Sequence, residues 1–315
     1  MAEAIRGTND DASASRLAAV SKGYFDDPYA RLFSKTRKVV RPPVINRGSF
    51  IRQASLNSLM RAFISRFPAN SVQVVSFGAG SDTRFFLSSP SLAYKHYYEI
   101  DFPQVTTRKA MIIAKTPELK ALVGAGYTLA AGGMDLHGTT GYSLLSGDLC
   151  SFSQAILPKL LERGFDTSCP TIFLSECVLI YLDPAVSRHL IQWAAQCRTS
   201  LFATFEQILP EDAFGRVMLE NLGNRGISLP GIRACPTIQA QLDRYKEGGF
   251  QGSGAIDMHD LHQHCMLPDT KARLDGIERL DELEEWNLLS RHYCVSWGVS
   301  GLDDEAVQAL GKIAF

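Results

Sequence analysis

Gln73-Val-Val-Ser-Phe-Gly-Ala-Gly-Ser-Asp-Thr-Arg84, with Tyr97-Tyr-Glu-Ile-Asp101 behind it, decides the fold of this chain. Val72 to Phe77 reads as a buried strand that runs into a tight turn, Gly78-Ala79-Gly80. About twenty residues later a second strand, Tyr94 to Asp101, ends in a lone acid. A doubly wound α/β sheet holds an adenosine-type ligand in this way: the glycines let the backbone approach it, and the carboxylate accepts from the ribose hydroxyls. A dinucleotide fingerprint needs a third glycine, where this chain has Thr83. The shortened turn suits a ligand with no phosphate to cradle, such as S-adenosylmethionine. Short glycine turns after strands are often turns and nothing more, so this stretch alone leaves both readings open.

Strands and helices alternate outward from this point. A helix is expected from Val105 to Ala114, a third strand from Tyr142 to Ser146, and a helix from Gln154 to Arg163 closed by Gly164. A fourth strand, Thr171 to Ser175, ends at Glu176. Asp183 then caps a helix with Pro184 at its first position, and Val186, Leu190, Trp193 and Ala194 share one face. Leu201 to Phe205 is the fifth strand. This alternation implies a parallel sheet with right-handed crossovers. Before it, residues 1–10 read as a loose tail, and 11–67 as a helical cap broken at Pro42-Pro43. The expected organisation is one domain over 1–315: the cap, a cofactor-binding sheet over 72–207, a lid over 208–250 inserted after strand five, and closing strands and helices over 251–315. The lid would start with a helical piece, Asp212 to Leu222, and continue as a Gly- and Pro-rich segment; Arg291 to Trp297 would be an antiparallel strand.

Composition narrows the class. With 45% apolar residues, 21% charged residues and a net charge of -1, the 315 residues read as an ordinary globular protein. No basic excess points to nucleic acid, and the longest apolar run, Thr171 to Leu182, is too short for a bilayer and is interrupted by Glu176. The polar start, Met1 to Asp11, does not read as a signal peptide. Seven scattered cysteines without a Cys-x-x-Cys pair suggest reduced thiols, hence a cytoplasmic or nuclear protein. His259, His262, His264 and Cys265 cluster without a standard zinc spacing, so no metal is expected.

Further stretches carry a resemblance: Asp11-Ala-Ser13 through Gly23-Tyr24, Asn46-Arg-Gly48, Val75 to Thr83, Glu99-Ile-Asp-Phe-Pro103 with Val105-Thr-Thr-Arg-Lys109, Gly147-Asp-Leu149, Ser175-Glu-Cys-Val-Leu-Ile-Tyr181, Arg216 to Leu222, Leu280 to Glu284, and Arg291-His-Tyr293. In order and spacing the chain resembles leucine carboxyl methyltransferases, cytosolic enzymes that esterify the C-terminal leucine of type 2A protein phosphatase catalytic subunits. The resemblance implies a class I methyltransferase sheet of seven strands with the last antiparallel, S-adenosyl-L-methionine as cofactor, and the phosphatase catalytic subunit as partner. A cytoplasmic monomer that binds neither nucleic acid nor membrane is expected. Arg16 stands where the family tends to have lysine, and Ser49-Phe-Ile-Arg52 replaces a more aromatic stretch.

The site expectations follow. Gly78 and Gly80 would pass close to the methionine part of the cofactor, and Asp101 would accept from the ribose, unless it only caps a helix. Asp148 and Leu149 would meet the adenine, although acids are common in surface loops. Glu176 interrupts an apolar run where ligands bind in open α/β sheets; it would hold the cofactor's amino group, the plain alternative being a structural Arg or Lys partner. By resemblance, Arg52 takes the cofactor carboxylate with Arg16 nearby, against the usual fate of solvated arginines. Arg16 and Tyr181 are also candidates for positioning the substrate, although tyrosines are more often core residues. Other readings remain: a methyltransferase for a modified tRNA base or a small carboxylic acid, or a non-catalytic module that binds the phosphatase.

Overall fold

The computed structural model describes residues 2–36, 38–88 and 94–315. Nine strands form one sheet among them: β1 Gln73–Phe77, β2 His96–Asp101, β3 Thr128–Ala130, β4 Asp135–His137, β5 Tyr142–Ser146, β6 Thr171–Glu176, β7 Ser200–Gln207, β8 Gly252–Asp257 and β9 Tyr293–Ser300. Their spatial order is β3-β4-β5-β2-β1-β6-β7-β9-β8. The five expected strands are β1, β2, β5, β6 and β7, all mutually parallel. β9 is the expected antiparallel strand, inserted between β7 and β8. Removing the short β3-β4 pair from the edge leaves seven strands in the class I methyltransferase arrangement.

The central strands are buried on both faces, which is why they read as unbroken apolar runs. Alternate residues serve two cores. Val74, Ile172, Leu174 and Ala203 face the cap helix Pro43–Ile64, which contributes Ile51, Leu56, Leu59 and Phe63. Val75, Phe77, Phe173 and Phe202 face the other way, against Phe152, Leu190 and Ala194. There Phe77, Phe173 and Phe202 stack across three neighbouring strands, with centroids 6.1, 5.9 and 5.8 Å apart.

Several expectations need correction. Residues 1–10 are not a loose tail: from Ala2 the chain is helical through Lys22, while Met1 lies outside the described residues. The helix expected over 154–163 is α-helical only over Leu157–Glu162; Leu149–Ser151 and Phe152–Ile156 are wound as 3₁₀ and π turns. The inserted segment has its first helix at Ala213–Asn224, capped by Asp212. It also has an unexpected second helix, Ile238–Glu247, whose Tyr245 packs in the sheet core with Phe202 and Phe250. β3 and β4 are likewise unexpected, whereas β8 is one of the closing strands expected, without set bounds, over 251–315. The proline expectation held at residue 184, where Asp183 Oδ1 accepts from the backbone N–H of Ala185 at 2.8 Å.

Strand order reverses between β1 and β6, so their carboxyl ends open the crevice where ligands bind in such sheets. Phe77, Asp101, Ser146, Glu176 and Gln207 end β1, β2, β5, β6 and β7, and all the candidate residues outside the cap follow or form these ends. No helix among the described residues is long and apolar enough to cross a membrane.

Candidate active site

A cavity of about 680 Å³ lies over these strand ends. Arg16, Arg52, Gly78, Asp101, Asp148, Leu149, Glu176 and Tyr181 all line it, so residues far apart in the chain meet in one space. Its roof is the amino-terminal helix, through Ile5, Thr8, Asn9 and Ala12, with Leu222 and Arg225 from the inserted segment.

The turn after β1 is left-handed at both glycines, with φ +59° at Gly78 and +53° at Gly80. Glycine adopts this conformation without penalty. Close approach also demands it: a Cβ on Gly78 would lie 2.5 Å from Val178 Cγ2, and one on Gly80 2.6 Å from Asn9 Oδ1. Asp101 ends β2 beside this turn. Its Oδ2 accepts from the N–H of Gly80 and its Oδ1 from the N–H of Phe102, both at 2.7 Å. Burial pushes its carboxyl up to about 6, although both amides and Lys109 oppose the shift.

Asp148 is exposed, and its Oδ1 accepts from the N–H of Cys150 at 2.9 Å, capping the 3₁₀ turn that begins at the buried Leu149. One reading of a loop acid, a local cap, therefore applies to this residue alongside its place on the cavity wall.

Glu176 has two arginine partners. Arg52 Nε donates to Oε2 at 2.7 Å, and Arg84 Nη1 donates to Oε1. Burial alone would raise the Glu176 carboxyl, but Arg84 and Arg52 outweigh it and hold the group below its ordinary value. Arg16 donates from Nε to Asp27 Oδ2 at 2.5 Å and from Nη1 to Gln53 Oε1 at 2.9 Å. Its Nη2 is buried without a partner among the described residues. An unsatisfied guanidinium N–H on the wall of a cavity fits a ligand that carries a carboxylate. Glycines beside a ribose-competent acid fit the adenosyl part; the residues present therefore suit S-adenosylmethionine at both ends.

Tyr181 ends a 3₁₀ turn, Leu179–Tyr181, that follows Cys177, a non-glycine residue with φ +54°. The same cavity is lined by the apolar Val178, Phe205, Met258 and Leu289 and by Tyr293. Tyr293 stacks on Phe205 at 5.4 Å, and burial lifts its hydroxyl to about 12, so it stays protonated.

Sequence reasoning missed Asn9, Gln53, Asp82, Arg84, Met258 and Tyr293 in this wall. The order Asp82-Thr-Arg84 directly after the glycine turn, and Tyr293 in Arg291-His-Tyr293, were the available clues. Asp82 and Arg84 pair at 2.8 Å, and burial of the Asp82 carboxyl is outweighed by Arg84, Arg16 and Lys109, which hold it at about 2. Of the histidine cluster, His262 is packed: it lies against Trp286, and its Nε2 sits 3.3 Å from Arg47 Nη1, while His264 is exposed. No three His, Cys, Asp or Glu side chains converge as a metal site among the described residues.

Consecutive polar residues fasten the roof helix. Asn9 Oδ1 accepts from the N–H of Ser81 at 2.9 Å. Asp10 accepts from Lys35 at 2.5 Å and from Arg108 at 2.7 Å, and Asp11 pairs with Arg225.

Known proteins place this geometry. The family model for leucine carboxyl methyltransferase matches residues 4–195. A leucine carboxyl methyltransferase 1 homolog of Arabidopsis thaliana is 39% identical over 322 residues, covering 99% of this chain and 92% of that one. Leucine carboxyl methyltransferase 1 of Bos taurus is 35% identical, covering 95% and 90%. The human tRNA wybutosine-synthesizing protein 4 is also 35% identical across 93% of this chain, which spans only 44% of that longer protein. A solved Thermobifida fusca chain described as a methyltransferase shares the fold, with a TM-score of 0.50 at 11% identity, covering 82% of this chain and 83% of that one. The chain belongs to the leucine carboxyl methyltransferase family, and it is an enzyme whose cofactor is S-adenosyl-L-methionine.

Proposed function

We propose that the enzyme methyl-esterifies the C-terminal leucine carboxylate of type 2A protein phosphatase catalytic subunits. What supports this reading is the makeup of one cavity, which Gly78, Asp101, Arg16 and Tyr181 line together with the apolar Phe205, Met258 and Leu289. An apolar wall beside a cation and a phenol suits a leucine side chain next to its own carboxylate.

When bound, the cofactor supplies an electrophilic methyl carbon on a sulfonium. A carboxylate is already ionised at neutral pH, so the residues need supply no general base. Tyr293 and Cys177 are in keeping with this: burial lifts the Cys177 thiol to about 11 and keeps it neutral beside the reacting groups. Their task is alignment, which can contribute about 7–11 kcal/mol. Opposite charges fade as the ester forms, and a roof that excludes water favours that change. Too firm a grip on the substrate carboxylate would stabilise reactants more than the transition state. One partly engaged arginine, Arg16, and a neutral donor, Tyr181, meet that requirement better than a bidentate clamp.

Asp101 would hold the ribose, Asp148 and Leu149 the adenine, Glu176 the amino group and Arg52 the carboxylate of the cofactor. A cytoplasmic monomer is part of the proposal; seven free thiols are in keeping with a reducing compartment. Incubation with methyl-labelled cofactor and a phosphatase catalytic subunit is the test. Base-labile label that disappears when the terminal leucine is deleted is expected; label on tRNA instead would favour the wybutosine-type reaction of the human relative.

A further inference from the structure

We propose that Arg84 is a positioning residue for the methyl donor: it keeps Glu176 fixed while Arg52 lets go of that carboxylate to meet the donor's own. The inference rests on the cofactor roles proposed above and adds a residue that acts through Glu176.

The two arginines on Glu176 are held very differently. Arg84 is 4% exposed. Besides Glu176 Oε1, its Nη1 donates to Asp82 Oδ2 at 2.8 Å, its Nη2 to Gln53 Oε1 at 2.9 Å and its Nε to Asn57 Oδ1 at 2.9 Å. These acceptors come from the turn after β1 and from the cap helix, so all three N–H-bearing nitrogens are locked into two elements. Among the described residues the Arg52 guanidinium makes one hydrogen bond, from Nε to Glu176 Oε2, and its side chain is 30% exposed with its guanidinium 5.3 Å from the Phe205 ring. A flat guanidinium lying over an aromatic face can slide without losing that contact.

A donor with an amino-acid end brings a carboxylate and an ammonium together. The carboxylate draws Arg52 away, and the ammonium takes the place Arg52 leaves at Glu176 Oε2. A carboxylate in this half-buried position is strongly penalised if its counter-charge departs. Arg84 stays throughout, so the exchange never strands it. Without Arg84, Arg52 would be the sole cation on Glu176 among the described residues, and its departure toward the donor would leave that carboxylate uncompensated. No proton moves and no bond to carbon changes in this step; one ion pair is traded for two.

Two ligands separate this role from mere support of the fold. S-adenosylhomocysteine carries the amino-acid end, whereas methylthioadenosine has the same nucleoside and lacks it. Calorimetric titration of the full chain should show Arg84→Gln weakening S-adenosylhomocysteine by about tenfold or more, with methylthioadenosine unchanged within about twofold. Arg84→Lys keeps a cation without the fork and should recover part of the loss. Equal weakening of both ligands, or no weakening of the first, overturns the proposal. Should Arg84→Gln not fold, the same comparison in Arg84→Lys decides it: a loss confined to S-adenosylhomocysteine supports it and an equal loss or none overturns it. A wild-type chain that binds neither ligand would sink the cofactor-site reading instead, a separate outcome.

Discussion

Asn9 and Gly80 sit against each other: the carboxamide of Asn9 occupies the space that a side chain at Gly80 would fill, and it accepts the next backbone N–H, that of Ser81, at 2.9 Å. The glycine turn is thus shaped for the roof helix as well as for a ligand. Asn9→Ala should speed release of S-adenosylhomocysteine by about two- to tenfold, the range for one lost hydrogen bond, as read by stopped-flow fluorescence. Gly80→Ala meets both the clash and a positive φ, and should lower stability by about 1–2 kcal/mol from the backbone alone. Adding Asn9→Ala should return only the steric share, measured as a shift in denaturant midpoint.

Asp101 predicts a pH dependence of binding. Its carboxyl lies near 6, and ribose hydroxyls bind the ionised form more strongly. Affinity for S-adenosylhomocysteine should rise with pH up to about 6 and level off above it, and Asp101→Asn should bind weakly with this step removed. Stability of the free enzyme runs the other way. The folded value is above the unfolded one, so the group's contribution is full below about 4 and is lost as pH climbs through about 6. Titration calorimetry and thermal unfolding across pH 4 to 8 would check both signs.

Arg52 and Tyr181 should separate kinetically. Arg52→Ala removes a charged partner and should weaken cofactor binding by about 10- to 100-fold. Tyr181→Phe should leave that affinity alone and raise KM for a leucine-ended substrate by about two- to tenfold. If Arg52→Ala lowered only turnover, with cofactor affinity intact, its assignment would be wrong.

Glu206 anchors the turn that carries Tyr181. It is buried, accepts from the N–H of Ile180 at 2.8 Å and pairs with Arg244 at 2.9 Å. Glu206→Ala strands a buried guanidinium and should cost about 3–5 kcal/mol in chemical denaturation. Replacing both partners, with Arg244→Met added, should cost less than the single change.

Much of this was legible locally. β1, its glycine turn and Asp101 lie within thirty residues of one another, and strands buried on both faces announce themselves as apolar runs. The eight candidate residues lie on one cavity because strand ends gather at the switch point. What stayed hidden depends on distant partners. The roof helix looks like a polar tail because Asn9, Asp10 and Asp11 find Ser81, Arg108 and Arg225 only in the folded chain. Arg84 gives no sign of its acceptors, Gln53 and Asn57, which arrive from the preceding helix. β8, Gly252-Ser-Gly-Ala-Ile-Asp257, has few strand-forming residues; pairing with β9 imposes its extended form.

The ties of Asp10 and Asp11 to Lys35, Arg108 and Arg225 lie partly in solvent, with side chains between 28% and 62% exposed. Mobile ions weaken such contacts, whereas the interior pairs below them are sheltered. Ionic strength should therefore act as a throttle on this enzyme: more salt loosens the roof and hastens departure of the spent nucleoside, with the chemistry beneath left as it was.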